Sequence, residues 1–136
     1  MRKVGIAILV VGLALTIGAS LSFGASKKAV SGSTLSYTLK EMSIRGQKTV
    51  ASGPVTFVAK NTGTVAHELV VMRGTAALKV KSFKALEAGR FVGEVEGVEP
   101  GKSGKLTVSL KPGTYLLVCN IVGHYQLGMK TVLKVS

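Results

Sequence analysis

One cysteine, two histidines and a late methionine are the residues of this chain best suited to soft-metal chemistry. Cys119, His124 and Met129 fall as C-x4-H-x4-M inside a single segment, PGTYLLVCNIVGHYQLGMKTVLK. Thiolate and thioether are soft enough to hold Cu(I), and imidazole serves both oxidation states of copper. Two imidazoles and a thiolate in a trigonal set, with a weak axial thioether, suit a copper ion that changes oxidation state. The segment supplies one imidazole, so the other must come from elsewhere in the chain. His67 is the only other histidine, just past the turn at residues 61–64 (NTGT) and at the head of the run HELVVM. The expected cofactor is one copper ion, with His67, Cys119, His124 and Met129 as its ligands.

Each of these residues has an ordinary alternative when taken singly. A cysteine after an apolar strand is commonly a buried, inert thiol, and a lone methionine commonly fills core space. A lone histidine is commonly a surface or hydrogen-bonded residue. Together, at this spacing and with no other cysteine or histidine in the chain, they point to a site. A single cysteine cannot form an internal disulfide. Outside the cytoplasm its thiol would oxidise unless buried, bonded to a partner or ligated.

Strands must position these groups. Leu35, Tyr37 and Leu39 alternate with polar residues, as do Val55, Phe57 and Ala59, and again Leu106, Val108 and Leu110. Such period-two patterns mark half-buried strands. Pro100–Gly101 and Pro112–Gly113 punctuate them, and residues 114–118 and 130–135 are the last two strand candidates, flanking the ligand segment. About seven short strands separated by turn signals predict an all-β fold, an antiparallel β-sandwich. Residues 74–89 are the least strand-like, and Ser82 is placed to cap a short helical turn over residues 84–87.

The start of the chain reads as an export signal. Arg2 and Lys3 precede an uncharged apolar run over residues 4–21, and Ser22 and Gly24 suit a cleavage site. Residues 1–24 are therefore expected to be a signal peptide or N-terminal anchor, since the run approaches the roughly 20 residues that span a bilayer. Cleaved or retained, the leader places the rest of the chain outside the cytoplasmic membrane, in the periplasm or its equivalent. Residues 25–33 (ASKKAVSGS) form a linker and residues 34–136 the domain. Sixteen of the 18 basic residues follow the leader, against six glutamates and no aspartate, a net charge of about +10. That field favours anionic partners, an acidic redox protein or an anionic surface. Nucleic acid is a poor fit for an exported domain with few aromatics to stack bases.

The segments NTGTVAHELVV and KPGTYLLVCNIVGHYQLGMKTVLKV resemble the cupredoxins, most closely small exported members with a C-x4-H-x4-M loop such as rusticyanins and auracyanins. The resemblance runs from about Ser33 to the C-terminus. It implies an eight-stranded Greek-key sandwich with copper at one end and one-electron transfer as the function. By that resemblance His67, Cys119 and His124 are equatorial ligands, Met129 is axial, and the backbone N–H groups of Glu68 and Ile121 donate to the Cys119 sulfur. Electrons would pass through the edge of His124, with Ile121, Val122, Tyr125 and Leu127 as an apolar docking patch. The chain departs from the family pattern in having Glu68 where Asn or Ser is common, Val122 where Pro is common, and no disulfide. Without the proline, the loop is expected to be less pre-organised. Glu68 beside copper is expected to lower the reduction potential unless it points to solvent or pairs with a lysine. A copper chaperone or store would use the same soft ligands, but such sites are open and Met- or His-rich, and only Met42, Met72 and Met129 follow the leader. Copper enzymes need further histidine clusters, which two histidines cannot build.

Overall fold

In a computed structural model, which describes residues 31–77 and 89–136, nine strands pack as two sheets face to face. The strands are β1 (Ser33–Lys40), β2 (Ser43–Gly46), β3 (Thr49–Val50), β4 (Gly53–Asn61), β5 (His67–Arg73), β6 (Phe91–Val98), β7 (Ser103–Leu110), β8 (Gly113–Val118) and β9 (Lys130–Val135). One sheet has the order β2-β1-β4-β7 and the other β3-β9-β8-β5-β6. The leader expected at residues 1–24, residues 25–30 of the expected linker and the helical turn expected over residues 84–87 lie outside the described residues.

The sandwich is as expected, but its sheets are mixed rather than wholly antiparallel. Strand β1 runs parallel to β4, with Leu35 beside Phe57 and Tyr37 beside Ala59. Strand β3 runs parallel to β9. A two-residue hairpin forces antiparallel pairing, whereas a crossover allows parallel pairing. Here β1 turns tightly into β2, the chain crosses to the other sheet as β3, and β4 then returns alongside β1. The short strands β2 and β3 add to the seven expected, because runs of two to four residues carry too little alternation to read.

Alternation along the strands builds the core. Leu35, Tyr37, Leu39, Val55, Phe57 and Ala59 of the first sheet meet Leu69, Val71, Tyr115, Leu117 and Leu133 of the second. The Tyr37 and Phe57 rings stack at 5.9 Å between centroids. The Tyr37 hydroxyl donates to Gln47 O at 2.7 Å, and burial pushes its pKa up to about 12. Central strands β5 and β8 are covered on both faces, so HELVVM and YLLV read as continuous apolar runs. Their outward side chains Val70, Met72, Leu116 and Val118 form a second cluster with Tyr125.

Two features aim β5 and β8 at the site. The pairing of β5 with β6 shifts register between His67 and Leu69, and such a bulge turns the local side chains relative to the sheet. At the start of β8 the Tyr115 hydroxyl donates to Lys111 O at 2.9 Å and accepts from Lys111 N–H at 3.2 Å. This fixes the turn from which the strand runs up to Cys119.

Candidate metal centre

His67 begins β5, and its approach is built by Asn61. This buried amide donates to Val65 O and to Val98 O, each at 2.7 Å, and accepts from Gly63 N–H at 2.8 Å. Every polar atom of the side chain is used, so residues 61–66 are tied to the end of β6 opposite His67. Asn61 went unremarked in the sequence beyond its place in a turn; a buried asparagine ending an alternating strand was the available signal.

The loop from Cys119 to Met129 carries the other expected ligands. Its ends are clasped by a bond from Cys119 N–H to Met129 O at 3.1 Å. Within it, Met129 N–H donates to His124 O, His124 N–H to Ile121 O, Leu127 N–H to Gly123 O and Gly128 N–H to Tyr125 O, all at 3.0 Å. Gly123 and Gly128 take φ of 88° and 101°, conformations that L side chains avoid. Val122 in place of proline leaves the loop without a ring to stiffen it, and these backbone bonds and glycine turns hold its shape.

The two loops bring three donor groups together. His67, Cys119 and His124 each offer an atom within 4.8 Å of the other two. His67 Nδ1 lies 3.3 Å from His124 Nδ1, and the Cys119 sulfur lies 3.3 Å from the same His124 nitrogen. The imidazole rings tilt at 58° with centroids 5.1 Å apart. Ligand distances of about 2 Å would let one ion touch all three at once. His67 and Cys119 are wholly buried, and His124 is partly exposed. Met129 is also wholly buried, in the same core cluster as Cys119.

Burial controls the protonation of the site. It pushes the Cys119 thiol up, against the lowering effect of N–H bonds from Ile121 and Glu68. The Glu68 N–H reaches the sulfur at 3.4 Å, and the nearby Glu68 charge pushes the thiol further up. The Glu68 donor anticipated from the resemblance is therefore in place, and the Ile121 N–H acts on the thiol in the same sense. Burial, then the neighbouring His124, holds His67 below the ordinary histidine value, against an opposing pull from Glu41. A neutral imidazole has a lone pair free for a metal. The buried thiol reaches its ligating thiolate form when a cation takes the place of its proton.

One expectation for the surface needs correction. Tyr125 is not part of an exposed patch: it is buried in the outer cluster, with Lys130 Nζ 4.8 Å from its ring centre. Its ring is drawn in because the apolar outer face of β5 and β8 needs cover. Ile121 packs partly against the core. Val122 and Leu127 remain outward, 97% and 66% exposed.

Comparison with known proteins agrees with this arrangement. Residues 48–136 match a protein-family model described as the Sulfocyanin (SoxE) domain. A dithionite-reduced auracyanin from Roseiflexus castenholzii is similar at 28% identity, over 76% of this chain and 97% of that one, with a TM-score of 0.64. Auracyanin A from Chloroflexus aurantiacus, described as a "blue" copper protein, is similar at 22% identity over 78% and 100%, with a TM-score of 0.63. Rusticyanin from Thiobacillus ferrooxidans is similar at 19% identity over 78% and 79%, with a TM-score of 0.56. The latter two likenesses concern the fold alone. No curated protein sequence matched significantly.

Proposed function

The chain belongs to the sulfocyanin (SoxE) domain family, of cupredoxin type, and from that premise we propose that it is an exported one-electron carrier with a single type 1 copper. His67, Cys119 and His124 are the equatorial ligands in this reading and Met129 the axial one. The observation that carries it is the trio of two facing Nδ1 atoms and one sulfur, with His67 and Cys119 buried and His124 partly exposed. When bound, copper supplies the one-electron couple; a trigonal His2Cys set with axial thioether suits that couple.

The protein's own residues do the rest. His67 is held on a strand of the sheet, and the clasped loop holds Cys119, His124 and Met129. Ligands fixed at both ends move little between oxidation states, which favours fast transfer. The N–H groups of Glu68 and Ile121 brace the Cys119 sulfur and tune its electron density. His124 is the ligand with an exposed edge, and Val122 and Leu127 flank it on the loop as an uncharged contact surface. The surrounding positive field steers the domain toward an acidic redox partner, with association rates that fall as salt rises. The apolar run at residues 4–21 of the leader supports export, and membrane association where the leader is retained. Among the described residues no helix is long and apolar enough to cross a membrane.

Copper handling is the less favoured role, because full burial of His67, Cys119 and Met129 opposes ready release to an acceptor. The test is spectroscopic. Protein loaded with Cu(II) should absorb intensely at about 600 nm through its thiolate–copper bond, and Cys119→Ala should abolish that band. Colourless copper-loaded protein refutes the assignment. Reversible voltammetry with copper retained supports the carrier role, and prompt loss of Cu(I) to an apo-acceptor would instead support handling.

A further inference from the structure

Glu41 played no part in the metal reading of the sequence, 26 positions before His67. It occupies the two-residue turn between β1 and β2, where Lys40 pairs with Ser43. The next residue, Met42, sits at φ 56°, a left-handed conformation uncommon for a side chain of this kind. Such strain persists where surrounding structure over-determines the backbone, and it clusters at functional sites.

The surroundings of the Glu41 carboxylate are specific. Its Oε1 accepts from the Thr64 N–H and, at 3.0 Å, from the Thr64 hydroxyl. A Cβ at Gly63 would meet that same oxygen, so any larger residue there displaces the carboxylate from its seat. The third neighbour is His67, whose Nε2 stands 4.0 Å from Oε1. That nitrogen is buried and has no hydrogen-bond partner among the described residues. It is the ring atom opposite Nδ1, which faces His124. With Nδ1 on a metal, the proton must sit on Nε2. A ligating imidazole is ordinarily oriented by a partner for its other N–H, and at 4.0 Å the carboxylate is too far for a direct hydrogen bond but well placed to act through its charge.

We infer that Glu41 is a positioning residue of the copper site: its carboxylate, seated by Thr64 and Gly63, is the electrostatic partner of the buried His67 Nε2–H, orients that ring and lowers the reduction potential. The inference rests on the reading of His67 as a ligand. The sign follows from charge: a carboxylate near the site stabilises the more positive, oxidised metal over the reduced one. It also makes the β1–β2 turn part of the site, through loop 62–66.

The test compares copper-loaded wild-type protein with Glu41→Gln, which keeps an oxygen acceptor for Thr64 and removes the charge. Visible absorption and copper stoichiometry report the site, voltammetry reports the potential, and nitrogen-15 NMR of the Cu(I) form reports the His67 Nε2–H. Both proteins should bind one copper and keep the intense band. Glu41→Gln should show a positive shift in potential, a moved Nε2–H resonance and faster exchange of that proton. A blue, fully loaded Glu41→Gln protein with unchanged potential and unchanged Nε2–H signal overturns the inference while leaving the copper assignment intact. A colourless wild type overturns both. If Glu41→Gln folds poorly, Gly63→Ala keeps the charge but displaces the carboxylate, and the same positive shift is expected; an unchanged potential there overturns the inference equally.

Discussion

Replacing Asn61 by alanine probes how the first half of the site is held. The substitution removes two bonds donated to Val65 O and Val98 O and one accepted from Gly63 N–H. The Val98 bond is buried, and the other two are partly buried. A buried carbonyl left unpaired costs about 1–3 kcal/mol, and a typical net bond contributes about 1 kcal/mol. Water can reach the Val65 and Gly63 groups more readily, so these fall near the lower figure. The sum is about 3 kcal/mol, which for a domain of this size lowers the melting temperature by roughly 10–20 °C. Urea denaturation of the metal-free protein measures the loss directly, and it separates stability from metal binding. Asn61→Asp should be at least as damaging, because it keeps the acceptor for Gly63 but turns a carboxylate toward two carbonyls. A loss below about 0.5 kcal/mol for Asn61→Ala, within the range of ordinary surface substitutions, would falsify this account of loop 61–66. So would a stable Asn61→Asp.

Further outcomes concern the core, the metal and the surface. The pKa of Tyr37 rises from 10 to about 12, so its neutral hydroxyl favours the folded state. Its contribution is fully present below pH 10 and lost as pH rises toward 12, about 3 kcal/mol in all; denaturation curves across that range should show the decline, and Tyr37→Phe should lack this component. Met129→Leu should keep a coloured site with a raised potential, read by voltammetry, because in the proposed site it removes a weak axial donor to the oxidised metal. Glu68→Gln should also raise the potential, since the Glu68 charge acts on the Cys119 sulfur; an unchanged value would assign that charge no role in tuning. Leu127→Glu, at an exposed loop position, should leave spectrum and potential intact but slow electron transfer to a partner in stopped-flow mixing.

Much of this protein was legible in local patterns. The loop of proposed ligands is one short segment between two strands, so the spacing of Cys119, His124 and Met129 already contains most of its geometry. Leu35, Tyr37 and Leu39, like Val55, Phe57 and Ala59, alternate because every second side chain faces the same layer. His67 could be singled out because the chain has one other histidine. What lay beyond reach depends on residues distant in sequence. Strand direction in β1–β4 is set by the crossover through β2 and β3, and alternation is blind to direction. Tyr125 looked like a surface aromatic because its cover of the outer face of β5 and β8 is a tertiary contact. Asn61 and Glu41 show the same limit more sharply. Their side chains act on backbone and ring atoms brought near by the packing of two sheets, and no periodicity encodes such pairings. The amino-acid sequence thus determined which donor atoms the protein has and the loop that carries most of them. Tertiary structure decided which carboxylate and which amide hold them in place, because hydrogen bonds and charges act over a few ångströms of space whatever the distance along the chain.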